Sequence, residues 1–333
     1  LQPLPGGLDL SARDLHFLTD DGLAWQSGSL ALRTQGTGAA QRGELRADVL
    51  DLALLARIAT RVPLDRELRE ALERYAPEGQ VRQLQASWQG APDALTGYSA
   101  KGRVSALALA ASATDCAPKA FGLRGAAGSF ELTQAGGSAS LSIADGALLL
   151  PGVFADPCVP VQTLDATVRW QIDGARIAVQ SDDLRFANAD AQGQARLHWH
   201  TGESDEAYLP GVLDLSGSLT RADGTRVYRY LPLAVGDDAR RYVRDAIAAG
   251  TSSDVKFRVK GDLRHLPFDE DKSGEFHIAA QVKDTTLVYV PAALAEPGDK
   301  PWPALAGLSG SLVFDRAGMR VNGASGHVAG AKL

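Results

Sequence analysis

A block of strand, helical insert and strand occurs twice in this chain, roughly 170 residues apart, and that duplication narrows the folds open to it. The first copy runs from Gly43-Glu44-Leu45 through Arg57-Ile58-Ala59-Thr60-Arg61-Val62-Pro63-Leu64, a helical stretch and Gly79, to Gly90. The second runs from Gly211-Val212-Leu213 through Arg226-Val227-Tyr228-Arg229-Tyr230-Leu231-Pro232-Leu233, a helical stretch and Gly250, to Gly261. Pro63 stands 16 residues before Gly79 and Pro232 stands 18 before Gly250, so the copies differ by two residues inside the insert. Repeats of this length belong to architectures that lengthen by adding units. Such architectures build extended binding surfaces more readily than single catalytic pockets.

Between and within the copies the dominant pattern is alternation with a period of two. Phe130-Glu131-Leu132, Val168-Arg169-Trp170-Gln171-Ile172, Leu213-Asp214-Leu215, Val255-Lys256-Phe257-Arg258-Val259 and Phe276-His277-Ile278 all show it. Alternation puts one row of side chains on an apolar face and the next in water. Asp21-Gly22, Gly136-Gly137, Asp145-Gly146, Asp173-Gly174 and Asp223-Gly224 supply turns between such runs. A shorter hairpin repeat joins them: Leu305-x-Gly307-x-x-Gly310-Ser311-Leu312-Val313-Phe314 matches Leu123-x-Gly125-x-x-Gly128-Ser129-Phe130-Glu131-Leu132, and a weaker copy spans Leu164 to Gly174. The fold class expected is mainly β: a long twisted antiparallel sheet curled into an open hydrophobic groove, with short amphipathic helices inserted in two places.

The inserts read as helix. Leu52, Leu55, Ile58 and Val62 follow one stripe up to Pro63, and a second helix is expected from Leu64 to Tyr75 on Leu64, Leu68, Leu72 and Tyr75. In the second copy Asp237 or Asp238 is the expected cap, Tyr242, Val243, Ala246 and Ile247 form the apolar stripe, and Gly250 is the expected stop. Helices this short need to dock on the sheet or plug its end.

Bulk properties exclude more than they assign. A net charge of -6 gives no general pull toward nucleic acid or an anionic membrane. No run of 18 apolar residues is present to cross a bilayer, and no signal segment opens the chain. The chain begins at Leu1 and ends inside a strand-like run, Val328 to Leu333, which reads as a fragment of something longer. Cys116 and Cys158 each lie two residues before a proline and ahead of a strand-like run. A disulfide between two loops at one edge suits an oxidising compartment, and two unpaired thiols is the alternative.

Sites for chemistry fail on inspection. His198-x-His200 offers two imidazoles on one side of a strand, with Trp199 on the other, but no third ligand has a suggestive spacing. Asp269-x-Asp271-x-Ser273-Gly274 opens like a calcium loop, yet the twelfth position is Ala280, which cannot close it. Arg240, Arg241 and Arg244 form a small basic patch that reads as a solvated helix face. No phosphate loop, nucleophile elbow, zinc helix or dinucleotide fingerprint occurs. No catalytic residue, metal ligand or cofactor site is expected. Trp88, Trp170, Phe257 and Phe314 fall on alternating apolar faces, where alternation does not separate a closed core from an open lining.

The two long units carry a specific resemblance. Arg226 to Leu233, Ala249-Gly250 through Phe257-Arg258-Val259-Lys260-Gly261-Asp262-Leu263, and Leu266-Pro267-Phe268 resemble the YhdP group of AsmA-like proteins. So do Leu64 to Gly79 and Leu84-Gln85-Ala86-Ser87-Trp88-Gln89-Gly90. Essentially the whole chain resembles these proteins, with the distinctive motifs in about a third of it and generic hairpins elsewhere. The cysteines are not part of that pattern.

The resemblance implies a periplasmic segment of a Gram-negative envelope protein, anchored in the inner membrane by a helix outside this chain. It implies a bridge that carries phospholipid between inner and outer membranes. On that reading residues 1–333 are part of one elongated repetitive groove, with units at 43–90 and 211–268 and further hairpins at 269–333. The expected groove lining is Phe130, Leu132, Val168, Trp170, Ile172, Val255, Phe257, Val259, Leu312 and Phe314. The expected partners are phospholipid and the two membranes, without nucleic acid. The alternative function is a structural or chaperone protein that assists outer-membrane protein assembly through its sheet edge. A passive β-solenoid and an enzyme are the weaker rivals.

Overall fold

The computed structural model describes residues 2–4, 6–14, 17–18, 24–25, 28–59, 66–91, 94–110, 118–202, 209–268, 273–294, 302–316 and 318–333. They form two compact units, residues 1–151 with 157–161 and 165–175, and residues 152–156 with 162–164 and 176–333. Both are mainly β, with antiparallel strands and helices inserted in two places, the class that alternation predicts.

Unit one contains β1 (Gln2–Leu4), β2 (Gly7–Ala12), β3 (Phe17–Leu18), β4 (Ala24–Trp25), β5 (Leu30–Gln35) and β6 (Arg42–Asp51). Helices α1 (Leu52–Ala59) and α2 (Arg66–Tyr75) follow, then β7 (Glu78–Ala91), β8 (Ala94–Leu109), β9 (Gly122–Thr133), β10 (Gly136–Leu149) and most of β11 (Cys158–Asp173). Among the described residues β3 and β4 pair only with each other. The remaining strands form a meander in which β1–β2–β5–β6–β7–β8–β9–β10 each pair antiparallel with the next.

Unit two contains β12 (Arg176–Ala187), β13 (Ala191–His200), β14 (Val212–Asp223), 3-10 turns at Gly224–Tyr230 and Leu233–Val235, and α3 (Asp237–Ala246). It continues with β15 (Ile247–Asp262), β16 (Glu275–Leu287), β17 (Leu305–Asp315), β18 (Gly318–Val328) and β19 (Ala331–Lys332). From β12 to β19 each strand again pairs antiparallel with its successor.

The repeated sequence block is repeated in backbone detail. Gln83 in β7 and Asp254 in β15 both take positive φ, 53° and 51°, and each is one extra residue against the next strand. Ala106 in β8 and Asp284 in β16 do the same at φ 51° each. Bulges of this kind bend a strand and raise its twist, so each unit is curved at matching places. Gly79 and Gly250 have φ of 111° and 135°.

Two helix expectations need correction. Gly250 does not stop α3, which ends at Ala246, and β15 already begins at Ile247. Gly250 is required because a Cβ there would stand 2.5 Å from Thr285 Oγ1, besides its positive φ. Asp237 and Asp238 are not caps but first-turn residues behind Gly236, where their charge suits the helix dipole. The expected stripe residues Val62 and Leu64 lie outside the described residues, and α2 is described from Arg66.

The core of unit one sits under α1. Leu54 is 3% exposed and clusters with Ala47, Leu50, Val81 and Val104, with Leu52, Leu55, Ile58 and Phe130 packed against them. Asp51 begins the helix by accepting from the Leu54 N–H at 2.9 Å.

Unit two is fastened differently, through the motif Arg229-Tyr230. The Tyr230 hydroxyl donates to Asp190 Oδ2 and accepts from Asn188 Nδ2, both at 2.9 Å. Arg229 donates to Asp190 at 2.8 Å and to Asp156 at 3.0 Å. Asn188 and Asp190 are buried, so their hydrogen bonds are needed to offset lost hydration. Phe268, from the Leu266-Pro267-Phe268 motif, is completely buried against Gly261 and Gly274, where a Cβ would collide with its ring.

Candidate functional site: the apolar faces

Strand register turns alternation into continuous rows. In unit one Leu10, Leu32, Leu45, Ala86, Ala100, Leu132 and Gly137 are successive cross-strand partners from β2 to β10. In unit two Ala195, Gly217, Phe257, Ile278, Phe314 and Met319 are partners from β13 to β18. A parallel row there joins Leu197, Leu215, Val259 and Phe276. The alternate residues are polar. Arg46, Gln85, Lys101, Glu131 and Ser138 form one such row in unit one, and Asp214, Lys260 and Glu275 one in unit two.

The apolar faces are only partly covered. Helix α1 packs on β6 and β7, and α3 on β15 and the 3-10 turns. Beyond those contacts Leu45, Ala86, Ala100, Phe130 and Leu132 remain half-buried, as do Leu215, Phe257, Ile278 and Phe314. Met319 is 59% exposed and Val321 49% exposed at the outer strand of the row. An apolar face left this open in each unit is a large uncompensated patch, and patches of that kind mark ligand or partner surfaces.

Aromatic rings lie over glycines of the adjoining strand. The Trp88 indole fills the side-chain space of Gly43, and Phe257 fills that of Gly217. A Cβ on Gly137 would be 2.7 Å from Trp170 Cζ2, and one on Gly102 would be 3.3 Å from Phe130 Cζ. The rings therefore lean along the sheet and keep the face low, where a bulky partner residue would push them upward.

The expected lining residues fall into two groups. Phe130 and Leu132 in β9 and Val168 and Trp170 in β11 are half-buried in unit one, with Ile172 exposed. Val255, Phe257 and Val259 in β15 and Leu312 and Phe314 in β17 belong to unit two, where Val255 is buried and the others half-buried. Within unit two Phe257 and Phe314 are both in register with Ile278.

Other sequence candidates have separate partners. His198 Nε2 pairs with Asp182 at 3.0 Å, while His200 Nδ1 contacts the Thr201 carbonyl at 2.8 Å, and Trp199 lies over Gly211 on the other face. Arg240, Arg241 and Arg244 pair with Asp237, Asp238 and Asp245, which neutralises the basic patch. Asp269 and Asp271 lie outside the described residues. Cys158 is buried and disulfide-bonded, while Cys116 lies outside the described residues. Among the described residues no group of three or more His, Cys, Asp or Glu could hold a metal ion. No described helix is long and apolar enough to cross a membrane.

Sequence reading overlooked the polar partners of Tyr230. Asn188 and Asp190 sit in the turn between β12 and β13, 42 and 40 residues before it, and no local spacing announces that contact.

A family model described as YhdP protein matches residues 1–333. No curated protein and no solved structure matches the chain.

Proposed function

The chain belongs to the YhdP family of AsmA-like envelope proteins, and from that membership we propose that its apolar faces carry phospholipid acyl chains. The chain on this reading is a non-catalytic, periplasmic segment of a lipid-transfer bridge between inner and outer membranes. The observation that carries the reading is the pair of half-exposed apolar rows, seven strands wide in unit one and six in unit two.

The energetics favour such a surface. A diacyl lipid has about 30 methylenes, and exposing them to water costs roughly 24 kcal/mol at ~0.8 kcal/mol each. A face made of Leu, Ala, Phe and Trp side chains removes much of that cost without fixing one lipid in place. Rings leaning over glycines leave few obstacles for a chain sliding along the rows from strand to strand. The polar rows behind them keep the opposite face wetted. Enclosing chains rather than headgroups predicts broad tolerance of headgroup type.

The reading is tested by placing a photo-crosslinking residue at Trp170 or Phe257 in the full-length protein in cells, with Arg169 and Arg258 as polar-face controls. Phospholipid captured at the first pair and not at the controls is the expected result. Equal labelling at both pairs, or capture of polypeptide in place of lipid, overturns it, the latter in favour of a chaperone role.

A further inference from the structure

The polar face of unit one holds a recess of about 660 Å³ that the lipid reading does not use. It spans β6 to β10 and is lined by Arg46, Gln85, Lys101, Arg103, Ser129 and Ser138 among others. A twisted sheet is saddle-shaped, so each face is hollow along one diagonal, and the hollow here falls where cations gather.

Those cations outnumber the two carboxylates of the recess, Asp48 and Glu131, and Lys101 stands opposite Glu131 across the sheet. Arg46, Lys101 and Arg103 make no ion pair among the described residues. Arg103 stands directly opposite Arg82 on β7, whose guanidinium, among the described residues, reaches only Gln80, at 3.2 Å. Like charges directly opposed across a sheet are destabilising unless something neutralises them. The polar face of unit two is built the other way. Arg258 bridges Asp214 and Glu275 at 3.3 and 2.8 Å, and Lys260 reaches Asp214 at 3.6 Å.

Two carboxylates, Asp48 and Glu131, also line the recess, with the amides of Gln83 and Gln85 and the hydroxyls of Ser129, Ser138 and Ser140. Cations suit an oxyanion, whereas carboxylates, amides and hydroxyls suit donor hydroxyl groups. The volume is in the range of small-molecule sites and far exceeds a bare phosphate.

We infer that this recess binds a phosphorylated sugar, its phosphate between Arg46, Lys101 and Arg103 and its hydroxyls on Glu131, Gln85 and the serines. A phospholipid headgroup is the other source of phosphate. Chains lying on the apolar face put their headgroup on the far side of the sheet from this recess, which favours the sugar.

Calorimetric titration of the full-length protein with glucose 1-phosphate tests the assignment, with glycerol 3-phosphate, glucose and inorganic phosphate in parallel. Glucose 1-phosphate is expected to bind saturably and about tenfold tighter than the other three. The double variant Lys101→Gln, Arg103→Gln is expected to lose about tenfold or more of that affinity, as is Arg46→Gln alone. Thermal unfolding monitors the fold, and removing Arg103 relieves its opposition to Arg82, so the double variant should melt no lower than the parent. Absence of saturable binding, or equal binding by parent and folded variants, overturns the site. Tighter binding of glycerol 3-phosphate overturns the sugar assignment. None of these outcomes touches the apolar faces, so the lipid reading stands or falls separately.

Discussion

The indole of Trp88 on β7 occupies the space where a side chain on Gly43 of β6 would have to stand. Gly43→Val therefore forces the ring out of its place, and overpacking of this kind costs about 1–3 kcal/mol. Pairing it with Trp88→Ala should recover part of the loss, giving a non-additive double-mutant cycle. Denaturant midpoints of the four proteins measure it. Strict additivity would mean the two residues do not share that space.

Leu54 joins α1 to the sheet and is almost fully buried beside Leu50, Val81 and Val104. Leu54→Ala removes that contact and leaves a cavity, for an expected loss of about 2–5 kcal/mol. Hydrogen exchange should show the loss concentrated in α1 and in β6 to β8, since the cluster belongs to unit one.

Tyr230 shows how the polar centre of unit two responds to alkali. Burial pushes its pKa up to about 12, with the hydrogen bond to Asp190 adding to the rise and that from Asn188 opposing it. The raised value means that the unfolded chain ionises first. The stabilising contribution is complete below the ordinary value of 10 and is lost as pH climbs toward about 12. Tyr230→Phe should remove that portion of the alkaline dependence and cost about 1–3 kcal/mol at neutral pH by deleting the hydroxyl's bonds to Asn188 and Asp190. Chemical denaturation from pH 8 upward, within the range where backbone hydrolysis is slow, reads both effects.

Asp262 gives a counterpart in acid. Its carboxylate accepts from the Arg264 guanidinium at 2.6 Å, and that contact, with the Arg264 N–H, lowers its pKa to about 2. Any stability it contributes is present above the ordinary value of 3.8 and disappears as pH falls toward about 2. Arg264 is exposed, so screening keeps that contribution small. Carboxyl carbon NMR is the better probe. Arg264→Ala should move the Asp262 midpoint upward toward 3.8, and an unmoved midpoint would assign the depression to another cause.

Alternation made the fold class readable because a strand in a one-sided sheet repeats every two residues, as Val255-Lys256-Phe257-Arg258-Val259 does. The stripe Leu52, Leu55 and Ile58 likewise announced α1. What alternation does not encode is which strand positions face one another. Arg82 and Arg103 are 21 residues apart in sequence, and only the bulge at Gln83 sets them opposite each other. Glycines misled for a related reason. Gly250 looked like a helix stop, whereas Thr285, 35 residues onward, supplies its constraint. The same holds for Tyr230, whose partners lie on the far side of two strands.

Gln83 and Asp254 also make odd and even count in these strands. Deleting either residue would leave Leu84 and Val255 on the apolar face, because each is the one residue outside the alternation, but it would take away the bend. Deleting a single residue elsewhere in these strands would instead exchange inside for outside from that point on. Lineages of such chains should therefore gain and lose length freely at hairpin tips, while inside β7 and β15 single-residue changes of length are confined to the bulge positions.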